Sequence, residues 1–127
     1  MVYTIVVHLH ANDSTSDVAK LKAKLVEASN VYSRDKETLS WFVMQDVGDE
    51  RKFTIVERYL KEESQKYHLE NPYWKTFDPY VNPLLDKPMD LRRCNELDTG
   101  AAAAAGAHVH EDARGDVSLG SMYSGAV

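Results

Sequence analysis

The residues of this chain best suited to acid–base chemistry are His68 and Glu57, with a group of aromatic side chains close by in sequence. His68 is the candidate catalytic residue. An imidazole titrates near neutral pH and can pass a proton either way, so it could serve as a base or as a substrate-orienting donor. The competing reading is a helical histidine that caps or packs. Tyr73 and Trp74 stand beside a helix break, where large side chains can close a pocket; packing beneath a helix is the alternative. Tyr59 and Asn71 flank the same break and are counted with Tyr73, Trp74 and Glu57 as candidate substrate-binding residues. Six of the 12 aromatic residues lie between Tyr59 and Tyr80. Such flat apolar surface suits an aromatic substrate, and it would equally suit a subunit interface.

Glu57 falls between Ile55 and Tyr59 in an apolar strand, an awkward place for a charge. A buried carboxylate needs a partner or a raised pKa. Arg93 and His68 are the candidate partners, and a structural ion pair is the favoured role. Arg92 and Arg93 could bind a substrate carboxylate, although one of an adjacent pair on a strand points to solvent. His8 and His10 share one face of a strand through i,i+2 spacing, but no third metal ligand is evident, so no metal is expected. His108 and His110 form a similar pair in a segment with no fold to fix them. Cys94 reads as packing in mid-strand. No Ser-His-Asp or Cys-His spacing and no glycine-rich phosphate loop is visible.

These residues need elements to position them. Val2 to His10 alternates as a strand, with Tyr3, Ile5, Val7 and Leu9 on one face and Val6, His8 and His10 on the other. The cluster Asn12-Asp13-Ser14-Thr15-Ser16 is rich in N-cap residues. Val18, Leu21, Leu25, Ala28 and Tyr32 then form an apolar stripe at helical spacing. Thr38 to Gln45 and Phe53 to Tyr59 read as strands joined by the turn Asp46-Val47-Gly48-Asp49-Glu50. A helix is expected from about Glu62 to Glu70. Asn71-Pro72 and Asp78-Pro79 each place an N-cap residue before a proline suited to the first helical position. Met89 to Leu97 is the fourth strand. The order βαββαβ is the split βαβ, ferredoxin-like arrangement of an α+β domain. The middle strands are apolar on nearly both faces, which calls for a second cover such as a dimer partner.

Composition sets limits on function. The chain has 127 residues, 43% hydrophobic and 28% charged, with net charge −5. That suits one globular domain. Residues 1–97 form it. Five of the six glycines and the run Ala101–Ala105 lie beyond Leu97, so residues 98–127 read as an Ala/Gly-rich flexible tail. No basic stripe suggests nucleic acid, and no apolar run is long enough for a membrane span. The N-terminus lacks the pattern of a secretory signal, and a single cysteine excludes an internal disulfide. Both fit a cytoplasmic location.

The segments Phe53-Thr-Ile-Val-Glu57-Arg-Tyr59 and Tyr67-His68-Leu69-Glu70-Asn71-Pro72-Tyr73-Trp74 resemble the antibiotic-biosynthesis-monooxygenase family of dimeric α/β barrels. That family carries a strand F-x-x-x-E-x-(W/Y), then a helical His and a following aromatic. Here Phe53, Glu57, Tyr59, His68 and Trp74 take those positions, and the resemblance covers residues 2–97. It implies a homodimer of face-to-face sheets with a pocket between each sheet and its helices. It also implies a monooxygenase that needs no metal or flavin cofactor. A small aromatic or unsaturated metabolite would be deprotonated and its anion would react with O₂. The haem-degrading branch of the family uses an Asn within the first strand; here Asn12 comes after it, which argues against haem. The alternatives are a non-oxidative isomerase or cyclase on the same barrel, and a non-catalytic dimeric ligand-binding domain.

Overall fold

The computed structural model describes residues 1–100. The tail assigned above to 98–127 therefore lies, from residue 101 onward, outside the described residues, and with it His108 and His110. The elements are β1 (Tyr3–His10), α1 (Thr15–Tyr32), β2 (Thr38–Gln45), β3 (Lys52–Tyr59), α2 (Gln65–Glu70), α3 (Trp74–Val81) and β4 (Asp90–Asn95). Single 3-10 turns at Glu62–Ser64 and Asn82–Leu84 complete the helical region. The four strands make one antiparallel sheet in the order β2-β3-β1-β4. This is the ferredoxin-like arrangement that the element order implied.

Alternation along β1 decides which face of the sheet is covered. Tyr3, Ile5, Val7 and Leu9 are buried, and the α1 stripe of Val18, Leu21, Leu25, Ala28 and Tyr32 packs over them. Ser14 caps α1, its side-chain oxygen accepting the Asp17 N–H, which satisfies one donor at the helix start. Asn12 ties the loop after β1 to both sides of it, donating to Asp17 and to the Pro83 carbonyl. On the opposite sheet face Phe42, Val56 and Val6 form a cross-strand row, with Phe42 42% exposed and Met44 exposed one row on. Arg58 makes a two-pronged ion pair with Glu96, which also accepts from Thr4, and the three clamp β3, β1 and the end of β4 together on this face.

Two local expectations need correction. Asp78-Pro79 does not begin a helix: α3 runs through it with Pro79 inside. A proline there forfeits one backbone hydrogen bond, but Phe77 and Val81, four apart, are both buried and hold the helix to the core. Asn71-Pro72, by contrast, does lead into a helix as expected. Asn71 ends α2, and its Oδ1 accepts the Tyr73 N–H across Pro72, so the helix starts at Trp74. Cys94 is not packed inside; β4 is an edge strand exposed along its length, and Cys94 is exposed with it.

Candidate functional site

A cleft of about 900 Å³ opens between the covered face of the sheet and the α2–α3 region. Its floor is made by strand residues that share one face: Ile5 and Val7 of β1, Trp41 of β2, Ile55 and Glu57 of β3, and Leu91 and Arg93 of β4. Tyr32 closes it from α1, His68 and Leu69 from α2, and Trp74, Phe77 and Asp78 from α3.

Glu57 sits on this floor at 5% exposure. Its Oε1 accepts the Tyr59 hydroxyl at 2.6 Å and lies 3.7 Å from His68 Nε2. Trp41 stands directly across from it on β2. The Trp41 indole lies near enough to favour the anion, yet its N–H has no partner in hydrogen-bond geometry among the described residues. Burial raises the Glu57 pKa, against the opposing pull of Tyr59, Trp41 and Arg93. The partner expected from Arg93 is thus a distant one. Arg93 and Glu57 both register on Ile5, two strand spacings or about 10 Å apart. Arg92 faces the other side and pairs with Asp90.

His68 is held by rings. Its centroid is 4.1 Å from Tyr32, 6.0 Å from Tyr59 and 6.3 Å from Trp41. Burial lowers its pKa to about 4, so it is neutral at physiological pH. Nδ1 is shut away from solvent without a hydrogen-bond partner among the described residues. A neutral histidine beside a buried carboxylate gives one group able to take a proton and one able to donate a hydrogen bond.

The other candidates are placed around this pair in different ways. Trp74 lines the cleft at its mouth, 45% exposed. Tyr59 is fully buried and supports Glu57 from behind. Tyr73 packs edge-on to Tyr32, and its hydroxyl donates to Glu27. Asn71 spends its amide on Asp35 and its carbonyl on Tyr73. Neither Tyr73 nor Asn71 faces the cleft floor. His8 lies beside Thr54, and His10 pairs with Asp86 at 2.7 Å. Among the described residues no group of three or more His, Cys, Asp or Glu side chains is placed to hold a metal ion.

Three of the cleft's aromatic walls, Tyr32, Trp41 and Phe77, were not singled out as site residues from the sequence. Tyr32 is the last member of the α1 stripe, and a polar-tipped ring at the end of an apolar stripe is a signal that was available. Trp41 could have been found by counting the hairpin register back from the turn to Glu57.

No family model matches the sequence, and no curated protein matches it. Solved structures do. A protein from Deinococcus radiodurans classed with the antibiotic biosynthesis monooxygenases superposes with a TM-score of 0.68 at 19% identity, over 78% of this chain and 95% of that one. One from Nitrosomonas europaea, classed in the same way, gives 0.69 at 17% identity, over 75% and 98%. SnoaB of Streptomyces nogalater, a cofactor-independent oxygenase solved as a point mutant, gives 0.66 at 8% identity, over 77% and 95%. This chain has the antibiotic-biosynthesis-monooxygenase fold. In that fold the cleft described here lies between a four-stranded antiparallel sheet and its helices, with Glu57 and His68 on adjoining walls. No helix among the described residues is long and apolar enough to cross a membrane.

Proposed function

We propose that the protein is a member of the antibiotic-biosynthesis-monooxygenase family and a cofactor-independent monooxygenase acting on a small aromatic metabolite. The observation that carries this reading is the buried Glu57 with the half-buried His68 beside it, in a cleft walled by Trp41, Tyr32, Phe77 and Trp74. Oxygenation without a cofactor requires a substrate acidic enough to give up a proton and electron-rich enough, once ionised, to reduce O₂. The aromatic walls bind a flat ring, and the apolar floor keeps water from quenching the anion. Glu57 and His68 supply proton transfer, while Trp74 stacks on the substrate at the mouth. Tyr59, Tyr73 and Asn71 hold these groups in place.

Anthrone is a suitable test substrate, since its methylene is acidic and its product is defined. Anthrone and O₂ give anthraquinone and water, with one oxygen atom going to each product. The full chain, in the presence of EDTA and without added flavin, should consume O₂ and form anthraquinone faster than buffer does. His68→Gln should slow this measurably without lowering the melting temperature. Dependence on added metal or flavin would overturn the reading, and turnover of anthrone-like ligands without O₂ uptake would favour an isomerase or cyclase.

The same reading includes a homodimer. The row Phe42, Val56 and Val6 leaves an apolar sheet face for a second copy to cover. Sedimentation at micromolar concentration should give a dimer. Phe42 is already exposed in the single chain, so Phe42→Asp should give a folded monomer rather than an unfolded chain. A wild-type monomer at that concentration would refute this part.

A further inference from the structure

We propose that Glu57 is the proton acceptor of this site and that His68 is its neutral hydrogen-bonding partner. This assignment rests on the oxygenase reading above and names which member of the pair does the chemistry. It reverses the order that residue types alone suggest, in which histidine is the base and the strand glutamate a structural ion.

The geometry argues from access. His68 has two ring nitrogens. Nδ1 is closed off from solvent and cleft alike. Nε2 faces Glu57 Oε1 at 3.7 Å. His68 could therefore take a proton only at Nε2, the nitrogen already turned toward the carboxylate. Glu57 offers two oxygens in different settings. Its Oε1 is occupied by the Tyr59 hydroxyl, while Oε2 accepts no hydrogen bond of ordinary geometry among the described residues, and the residue lines the cleft floor. One oxygen is thereby anchored and the other is available.

Charge points the same way. A proton moving from substrate to Glu57 breaks a C–H or O–H bond and leaves its electron pair on the substrate. Glu57 becomes a neutral acid, and its negative charge has moved to the reacting atom. A proton moving to His68 would instead create a new cation among the rings while Glu57 stayed anionic beside the new substrate anion, two additional charges where the other route adds none. Burial also raises the affinity of Glu57 for a proton and lowers that of His68, in the direction this assignment needs. Neutral His68 can then donate its Nε2–H to the substrate anion or to Glu57. The charged and titratable groups facing Glu57 are His68 from α2, Tyr59 on β3, Tyr32 from α1, Arg93 from β4 and Asp78 from α3 across the cleft.

The test separates proton removal from oxygenation. Anthrone in D₂O without O₂ exchanges its methylene hydrogens whenever they are removed. The wild-type full chain should speed this exchange, with a pH limb above the ordinary carboxylate range that follows the ¹³C shift of the Glu57 carboxyl. Glu57→Gln should cut the catalysed exchange roughly a hundredfold or more, and Glu57→Asp should recover part of it. His68→Gln should cost about tenfold or less, as expected for one lost hydrogen bond, and should keep the limb. Exchange that survives Glu57→Gln would overturn the assignment, as would a wild-type limb that follows the ¹⁵N shifts of His68, which needs no variant. If Glu57-dependent exchange occurs but O₂ is never consumed, the oxygenase reading fails and the assignment of the base stands. If O₂ is consumed and Glu57→Gln does not affect it, the reverse holds. A wild-type protein that does neither sinks both.

Discussion

Tyr32→Ala should lower the unfolding free energy by about 3 to 5 kcal/mol, the range for removing a large ring from a packed core. Tyr32 is 2% exposed and links four elements. From α1 it contacts Trp41 of β2 at 5.0 Å, His68 of α2 at 4.1 Å, and Tyr73 and Phe77 at 5.2 and 6.3 Å between centroids. None of these rings can close the gap without leaving another, so the cavity should persist. For a unit of this size each kcal/mol is worth roughly 4 °C or more in melting temperature. A fall of at least about 12 °C is therefore expected. Trp74→Ala gives the contrast. Its sequence position left open a pocket-closing ring or one packed beneath a helix, and at 45% exposure it stands at the cleft mouth. Its loss should cost about 1 kcal/mol or less while weakening the binding of an aromatic ligand. Denaturant unfolding of both variants checks the pair of expectations. Equal destabilisation would mean that Trp74 is structural.

The difference between these two rings shows what could be read from sequence. The α1 stripe and the alternation of β1 fixed which residues are buried, because a helix has one inward face and a half-covered strand has alternate ones. Val18, Leu21, Leu25, Ala28 and Tyr32 were all found in this way. The region from Glu62 to Leu85 was harder. Its segments are short, and α2 buries no residue at all, so it has no periodic signature. There the two Asx-Pro pairs look alike, yet one caps the turn that opens into α3 and the other lies inside that helix. His68 and Glu57 were legible as site residues, and His68 as one of two candidate partners of Glu57, but the choice of His68 over Arg93 was not. It depends on α2 crossing above β3, a tertiary fact. The shielding of His68 is equally non-local, since the three rings that enclose it come from α1, β2 and β3. Residue type alone therefore assigned the ordinary titration of a histidine to a group whose surroundings have moved it.

That displacement should be visible as acid sensitivity of the fold. In the unfolded chain His68 takes up a proton near its ordinary value of about 6.5. In the folded protein it does so only near 4. Between these values the unfolded state binds more protons, so stability is fully present above about pH 6.5 and falls as the pH drops toward 4. The group's whole contribution is on the order of 3 kcal/mol, from 1.36 kcal/mol per pKa unit. Glu57 acts with the opposite sign. Its folded pKa is raised, so the folded state holds the extra proton, and stability increases as the pH falls through that value. The two partly cancel in the wild type, and single variants should separate them. Glu57→Gln should steepen the loss of stability between pH 6.5 and 4. His68→Phe, which keeps a ring against Tyr32, should remove the loss and leave a flat or slightly rising profile. Glu96 is lowered by its pairing with Arg58, so its contribution is lost only below its ordinary value of 4.5 and can be told apart by pH. Urea unfolding at half-unit steps from pH 4 to 7.5 resolves these slopes. A wild-type profile unchanged by His68→Phe would mean that the imidazole titrates in the folded protein as it does in water, and that the rings around it do not keep it dry.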